Sequence, residues 1–137
     1  MTTPTAEQRA LSELIQSSHA AIYAYGIVAG YATNQDAAYS SLAAHRHMRD
    51  WLITVLATSG GSVPPSAAAY TLPLNITTTA SASTVATQLE NGMCAQWAAH
   101  LPSLERTRKS IGAKFAQDCA VRAFTWSHIA LAFPGSP

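Results

Sequence analysis

The chain has 137 residues and a mass of 14.5 kDa, which is enough for one domain to bury a hydrophobic core without disulfide or metal support. Hydrophobic residues make up 48% of the sequence and charged residues only 11%, about half the usual share. We therefore expect a second copy or a partner to cover part of an apolar surface. The net charge of +1, without a long Lys or Arg run, argues against nucleic acid or a membrane as the main partner.

The sequence shows neither a targeting segment nor a paired-cysteine motif. Residues Met1 to Arg9 are polar and lack the apolar stretch of a secretory signal. No apolar run approaches the roughly 18 residues that a membrane-spanning helix needs. Cys94 and Cys119 stand alone, which favours two buried thiols in a reducing compartment over a disulfide between them. These features predict a cytoplasmic protein.

The first predicted helix covers residues 5–32. Its apolar residues recur at the three-and-four spacing of one helix face. This stripe comprises Leu11, Leu14, Ile15, Ile22, Tyr25 and Ala29. Ser18 and His19 fall on or beside the stripe. Asn34 or Asp36 then stands where a cap for the next helix is needed.

A second helix is predicted over residues 37–58, and Gly60-Gly61 ends it. One stripe of this helix carries two basic side chains among its apolar residues. The stripe comprises Leu42, His45, Arg49, Leu52 and Leu56. His47 cannot face the same site as His45, because side chains two residues apart point to different sides of a helix.

Residues 60–79 have no helical period and contain three prolines. Parallel neighbouring helices of a bundle must be joined by a connection that runs its full length, and ferritin-like bundles have one such crossover. Apolar side chains that would attach this segment to the helices are Ala69, Tyr70, Leu72, Leu74 and Ile76. We therefore predict that residues 60–79 are the crossover.

Two more helices are predicted over residues 80–101 and 103–131. The third has Val85, Leu89, Met93 and Trp97 on one side, with Glu90 beside this stripe. Pro102 fits the first turn of the fourth helix, where its missing N–H is not needed. The apolar positions of the fourth helix are predicted to be Ile111, Phe115, Val121, Phe124, Trp126 and Ile129. Gly112, within this helix, indicates a bend or a close contact.

The predicted fold class is all-α, a ferritin-like up-down four-helix bundle with one long crossover between helices 2 and 3. Residues 1–137 are expected to form this single domain. The order of the helices and the position of the crossover carry this prediction.

Several short motifs also carry a family resemblance. They are His19-Ala20-Ala21-Ile22-Tyr23-Ala24-Tyr25-Gly26, His45-Arg46, Arg49-Asp50, Pro64-Pro65, Ala69-Tyr70-Thr71-Leu72-Pro73, Leu89-Glu90, Trp97, Arg122, Trp126 and Ala132-Phe133-Pro134-Gly135. Together they resemble an actinobacterial ferritin-like family of unknown function (DUF 4439 type) over nearly the whole chain. The resemblance implies the bundle fold and no particular activity. The family's first motif usually has a glutamate directly before the histidine, where this sequence has Ser18.

The sequence lacks the residues of a di-iron carboxylate site. Such a site needs about four carboxylates and two histidines, typically two lone glutamates and two Glu-x-x-His motifs. This chain has seven acidic residues and no Glu-x-x-His, and only Glu90 and Asp118 are expected to face inward. In the wider ferritin-like superfamily the first helix supplies one of the carboxylates, which Ser18 does not replace. We therefore expect no metal and no other cofactor.

A cluster of polar side chains is predicted at the bundle centre instead. Its members are His19, His45, Arg49, Glu90, Asp118 and Arg122. Arg49 is expected to form a two-pronged pair with Glu90, and Arg122 is expected to pair with Asp118 or to join the cluster. Structural ion pairs are the favoured interpretation of this cluster. In the alternative, His19, His45 and Glu90 hold a single metal ion with one open position.

Two functions from different classes follow from these observations. The favoured one is a non-catalytic module that self-associates as a homodimer or binds a protein or small-molecule ligand. The alternative is a divergent metal- or cofactor-binding, oxidoreductase-like protein with a reduced His/Glu site in the bundle core. No Gly-x-Ser-x-Gly turn and no phosphate-binding glycine loop occurs. The sequence therefore inclines against an enzyme.

Overall fold

The computed structural model describes residues 2–135, and the regular secondary structure within that range is entirely helical. The α-helices are α1 (Ala6–Tyr31), α2 (Gln35–Thr58), α3 (Thr79–His100) and α4 (Arg106–Ser127), with a short 3-10 helix at Leu101–Ser103. This confirms the predicted all-α four-helix bundle. Within the described range, no helix combines the length and the apolar character that crossing a membrane requires.

The helix ends are set by local capping groups. The Thr5 side chain accepts a hydrogen bond from the backbone N–H of Gln8, and the Gln8 side chain bonds back to Thr5, which makes a capping box before α1. The Asn34 side chain accepts from the N–H of Ala37, as the predicted cap of α2. Gly60 takes a positive φ of 83° just past α2, the backbone conformation that ends helices.

The directions of the helices follow from contacts between their ends. The short turn between α1 and α2 makes these helices antiparallel. Thr79, at the start of α3, donates a hydrogen bond to the carbonyl of Tyr31 at the end of α1. Arg108, in the first turn of α4, pairs with Glu7 in the first turn of α1. Hence α1 and α4 run one way and α2 and α3 the other, and residues 59–78 cross the length of the bundle, as predicted.

Two clusters of buried side chains form the core, one above the other along the bundle. The cluster near the start of α1 includes Leu11, Leu14, Ile15, Met48, Leu52, Leu56, Met93, Trp97, Leu104 and Cys119. The cluster near the start of α3 includes Tyr25, Val28, Leu42, Ile76, Val85 and Ala86, with Leu72 and Leu74 of the crossover packed against it. Buried His45 and Glu90 lie between the two clusters along α2 and α3.

The fourth helix is shorter than predicted at both ends. Pro102 belongs to the 3-10 helix and not to the first turn of α4, which begins at Arg106. At the other end, His128 has a left-handed backbone with φ 60°, so residues 128–131 leave the helix. The prediction of a helix over 103–131 is therefore wrong by three residues at the start and four at the end.

The prediction for the apolar positions of the fourth helix is also largely wrong. Four of the six residues are exposed: Ile111, Val121, Phe124 and Ile129. The buried residues of α4 are instead the small ones, Gly112, Cys119 and Ala123. A Cβ added at Gly112 would lie 2.9 Å from Cδ2 of Leu101 and 3.0 Å from Cζ3 of Trp97. Small residues thus let α4 approach α3 closely, which confirms the close contact expected at Gly112.

Candidate functional site

Glu90 of α3 lies at the centre of the bundle with no exposed surface, and both of its carboxylate oxygens are engaged. Tyr25 of α1 donates its hydroxyl proton to Oε2 at 2.5 Å. Nε2 of His45 in α2 lies 2.8 Å from the same oxygen. Nε of Arg122 in α4 donates to Oε1 at 3.0 Å. We call these four side chains, one from each helix, the central network.

Each member of the central network occupies a position where its helix faces the core. His45 lies three residues from Leu42 and three from Met48, both of which are buried. Glu90 lies between Ala86 and Met93 in the same way. A charged group at such a position loses its hydration and stays ionised only if protein donors replace the lost water. The three donors around Glu90 meet that requirement.

The electrostatic balance of the site favours an ionised Glu90. Burial raises the pKa of this carboxyl, but its contacts with His45, Arg122 and Tyr25 outweigh burial and hold the pKa below its ordinary value. For Arg122, burial lowers the pKa, and the nearby carboxylate of Glu90 more than reverses this effect. The pair is therefore a carboxylate and a guanidinium, whose charges cancel.

Tyr25 is held in its neutral form. Burial raises the pKa of its phenol far above the ordinary value, and the negative charge of Glu90 adds to that effect. Its ring stacks on His45 with centroids 5.4 Å apart and lies 6.3 Å from the ring of Trp126. The indole N–H of Trp126 donates to the buried hydroxyl of Ser41 at 3.4 Å. Aromatic rings thus enclose one side of the central network and exclude water from it.

One nitrogen of His45 has no hydrogen-bond partner among residues 2–135. Nδ1 is buried and makes no hydrogen bond with any of the residues that the structure describes. If Nε2 carries the proton that it donates to Glu90, Nδ1 is a bare acceptor. An unpaired acceptor nitrogen costs less in a buried site than an unpaired N–H does. The geometry thus favours the Nε2–H tautomer.

Ser18 takes no part in the central network. Its hydroxyl donates to the carbonyl of Leu14 in its own helix at 2.9 Å. The sulfur of Met48 lies 4.0 Å from the same hydroxyl and accepts a hydrogen bond from the indole of Trp97 at 3.2 Å. The layer next to the central network is therefore filled by a serine, a thioether and an indole, without a carboxylate.

Both cysteines are free and buried, as expected from the sequence. Burial raises the pKa of the Cys119 thiol well above its ordinary value, and the charge of Glu90 adds to this effect. Burial also raises the pKa of Cys94. Nη2 of Arg122 lies 3.3 Å from Sγ of Cys119. Protonated, enclosed thiols of this kind are poor nucleophiles and poor metal ligands.

The structure brings together three of the six residues predicted for the core cluster, His45, Glu90 and Arg122. Arg49 is not among them, and the expected pair between Arg49 and Glu90 is wrong. The Arg49 side chain is 26% exposed, and its guanidinium bonds to the neighbouring Asp50 at 3.0 Å. Arg122 reaches Glu90 from α4 instead, because the close approach of α4 places its guanidinium beside α3.

Asp118 and His19 also lie outside the central network. Asp118 pairs with Lys114 at 2.6 Å, one turn back on α4, and not with Arg122. Nε2 of His19 lies 3.2 Å from the carbonyl of Pro64 and so joins α1 to the crossover. Both side chains stood near the core stripe in the sequence, but each has a nearer partner on its own side of the bundle.

Sequence reasoning missed three members of the site: Tyr25, Ser41 and Trp126. The sequence pattern places Tyr25 on the apolar stripe of α1 and assigns its hydroxyl no partner. A signal did exist for it, because a tyrosine in a fully buried stripe usually needs a partner for its hydroxyl. No such signal pointed to Ser41, since its contact with Trp126 depends on how α2 and α4 meet.

The described residues do not converge on a metal. Among residues 2–135 no group of three or more His, Cys, Asp or Glu side chains is placed to hold an ion. The alternative set of His19, His45 and Glu90 is therefore not assembled, since His19 is bonded to the crossover. Arg122 already neutralises the one carboxylate of the central network.

Residues 10–137 match the sequence profile of a family described as a domain of unknown function, DUF4439. The chain belongs to this family. The crystal structure of a conserved hypothetical protein, rv2844, from Mycobacterium tuberculosis is similar, with a TM-score of 0.86 and 30% sequence identity over 94% of this chain and 97% of that one. No curated protein matches this DUF4439 chain.

Proposed function

We propose that this DUF4439 protein is a non-catalytic, ferritin-like helical module that acts by self-association or by binding a protein or small ligand. The observation that carries this proposal is the complete enclosure of the Glu90 carboxylate by protein groups. This carboxylate has no exposed surface, and protein donors from three other helices bind its two oxygens.

The charges of the central network support a structural role. Two divalent metal ions in a low-dielectric core need several anionic oxygens around them. Glu90 is the one buried carboxylate among the described residues, and Arg122 already neutralises it. A cation placed beside Glu90 would be repelled by that guanidinium. The network therefore holds four helices in register and leaves no charge for a metal ion.

The accessibility of the network points the same way. Glu90 and His45 have 0% of their side-chain surface exposed, and Arg122 has only 20%. A substrate would have to displace Tyr25, His45 or Arg122 before it could contact the carboxylate. A catalytic acid or base must instead lie within hydrogen-bond reach of the substrate.

The unpartnered Nδ1 of His45 is the observation that favours the alternative function, an oxidoreductase-like protein with one bound ion. That nitrogen and Glu90 would supply two ligands, and His19 would have to leave Pro64 to supply a third. This rearrangement would break the hydrogen bond between His19 and Pro64 and at least one of the three hydrogen bonds to Glu90. We therefore rank the structural role first.

The compartment is a separate part of the proposal. Two buried free thiols suit a protein of the reducing cytoplasm.

Metal analysis tests the proposal directly. Untagged protein is incubated with Fe(II), Mn(II) or Zn(II), desalted and analysed by mass spectrometry, and we expect less than about 0.1 ion per chain. The Glu90→Gln variant is the matched control. One or two ions per wild-type chain that are lost in this variant would refute the proposal and support the alternative.

Sedimentation velocity tests self-association. We expect a concentration-dependent dimer with a dissociation constant of about 1–100 µM, the range of a modest interface. A monomer at every concentration would contradict the self-association part of the proposal.

A further inference from the structure

Exposed apolar side chains are concentrated in the C-terminal part of the chain. Five of the eight large hydrophobic residues that are exposed in the described range lie within a stretch of 13 residues. We call this set the C-terminal apolar face: Val121, Phe124, Ile129, Leu131 and Phe133. Two members belong to α4 and three to the segment after it, which we call the tail (residues 128–135).

A pocket opens within the C-terminal apolar face, between α3, α4 and the tail. Its volume is about 240 Å³. Asn91 of α3 is the single polar residue of its lining, which also includes Val121 and Phe124 of α4 and Ile129 and Leu131 of the tail. The lining contains no charged residue. The pocket therefore suits an uncharged apolar group.

The tail is held at both ends, so the pocket is preformed. At its start, the left-handed backbone of His128 turns the chain out of α4, and the N–H of Ile129 donates to the Ser127 hydroxyl at 3.0 Å. At its end, Gly135 packs on α3 so closely that an added Cβ would lie 3.2 Å from Cβ of Ala98. A preformed pocket binds without the cost of ordering its walls.

Phe133 lies beside the pocket but not in it. Its neighbour Pro134 lines the pocket, whereas the Phe133 side chain is 79% exposed. An apolar cavity of about 150 Å³ is enough for a benzene ring, so the pocket of about 240 Å³ has room for a phenyl ring. The face thus carries both an exposed aromatic knob and a hole that fits it.

We propose that two copies of this chain pair through their C-terminal apolar faces, with Phe133 of each copy seated in the pocket of the other. The proposal rests on the self-association proposed above and names its partner and its surface. In a twofold dimer the same patch faces itself, so a face that bears both knob and hole makes the contact twice.

The area of the face agrees with a dimer. With about 200 Å² for a fully exposed large side chain, the five exposed fractions of 63, 48, 66, 49 and 79% correspond to roughly 600 Å². A stable interface buries about 800 Å² per partner, and its apolar share in homodimers is near 65%, or about 520 Å². The apolar area is thus sufficient.

The charged residues near the C-terminal apolar face give no reason to expect a different protein as its partner. Lys114 and Asp118 of α4 pair with each other, and Arg122 pairs with Glu90 inside the chain. Within the described part of residues 110–137, no Asp, Glu, Lys or Arg is therefore left unpaired for an acidic or basic partner to recognise. A second copy is therefore the occupant that both shape and charge favour.

Two opposite changes test the contact by sedimentation equilibrium. Phe133→Asp removes the knob, and Ala130→Phe fills the pocket, which Ala130 lines from the tail. Each variant should raise the dimer dissociation constant by at least about 10-fold. Tyr39→Asp, at a 57% exposed aromatic residue of α2, is the matched control and should leave the constant unchanged. Both tested residues are exposed, and circular dichroism melts would verify that the variants fold.

Mixing the two variants gives a sharper test. A homodimer of either variant has no intact knob-and-pocket contact. In the mixed dimer, Phe133 of the Ala130→Phe chain can enter the open pocket of the Phe133→Asp chain. We therefore expect the mixture to associate at least about 5-fold more tightly than either variant alone, since one of the two contacts is restored.

The possible outcomes separate this inference from the proposed function. A wild-type dimer that both variants leave intact would overturn the C-terminal interface while self-association stands. A monomeric wild type would overturn both the C-terminal interface and the self-association part of the proposed function. A monomeric wild type that binds the apolar dye ANS, with binding lost in Ala130→Phe, would show that the pocket takes a small ligand and would also overturn the interface.

Discussion

At the level of single residues, the centre of the bundle is a carboxylate whose water has been replaced by protein donors. Glu90 accepts hydrogen bonds from Tyr25, His45 and Arg122, and none of its surface reaches solvent. Ion pairs of this kind often contribute little net stability compared with apolar residues, but removal of one partner leaves the other charge without compensation. The central network should therefore be sensitive to single changes.

We predict that Glu90→Gln lowers the free energy of unfolding by about 3 kcal/mol, because the guanidinium of Arg122 loses its counter-charge. Urea denaturation followed by circular dichroism measures this change. Asp118→Asn is the matched control, since its pair with Lys114 lies at the surface and should contribute under about 0.5 kcal/mol. Equal effects of the two substitutions would contradict a special role for the buried pair.

The lowered pKa of Glu90 predicts an acid-sensitive stability. The folded state holds this carboxylate ionised more strongly than the unfolded chain does. Its contribution is thus fully present above the ordinary value of 4.5 and is lost as the pH falls through the lower folded pKa. Below about pH 4.5 the unfolding free energy of the wild type should fall more steeply than that of Glu90→Gln. If the unfolding free energies of the two proteins, measured by urea titration, fell equally steeply at acid pH, Glu90 would not be the origin of the acid sensitivity.

At the level of elements, α4 differs most from its sequence pattern. Its large apolar residues Val121 and Phe124 are exposed, while Gly112, Cys119 and Ala123 face α3. Helical periodicity identifies positions that share a face, but it does not say which of two apolar faces is turned inward. In α4 the size of the residues decides this, because only small side chains permit the close approach to Trp97.

We predict that Gly112→Ala destabilises the protein by about 1–2 kcal/mol, although alanine is the better helix former. The added methyl group would meet the ring of Trp97, which is fully buried and cannot move aside. Gly92→Ala in α3 is the matched control. Nothing lies within 4 Å of its Cβ position, so the same change should stabilise by up to about 1 kcal/mol. Thermal unfolding of both variants would show shifts of opposite sign.

At the level of the whole molecule, the crossover completes the core cluster near the start of α3. It runs from the end of α2 to the start of α3, and Ile76 inserts among the residues around Tyr25 and Val85 with 7% of its surface exposed. The hydrogen bond between His19 and the carbonyl of Pro64 fixes the other half of the segment to α1. This connection therefore belongs to the packed structure.

We predict that Ile76→Ala lowers the unfolding free energy by about 2 kcal/mol, through lost burial and the cavity that it leaves. Ile111→Ala, at an exposed isoleucine of α4, should cost less than about 1 kcal/mol. Guanidinium denaturation of the two variants provides the comparison. A crossover that packs loosely would make the two effects equal.

Much of the fold was predictable because its signals are local. Apolar spacing, the cap at Asn34, the stop at Gly60 and the prolines between residues 60 and 79 each act within a few residues of the chain. The end of α4 was less predictable. The sequence Ser127-His128-Ile129 contains no glycine or proline, and the left-handed backbone of His128 leaves no clear sign in the residue types.

The sequence by itself determined the four helices, the long crossover, and at most two inward carboxylates, Glu90 and Asp118, where a di-iron site needs about four. Only the tertiary structure decided that Arg122, and not Arg49, meets Glu90, that Tyr25 completes the central network, and that Phe133 lies exposed beside an apolar pocket. The physical reason is that helix periodicity sets which residues share a face of one helix. The rotation and axial position of each helix against its neighbours depend on packing contacts between residues far apart in the chain.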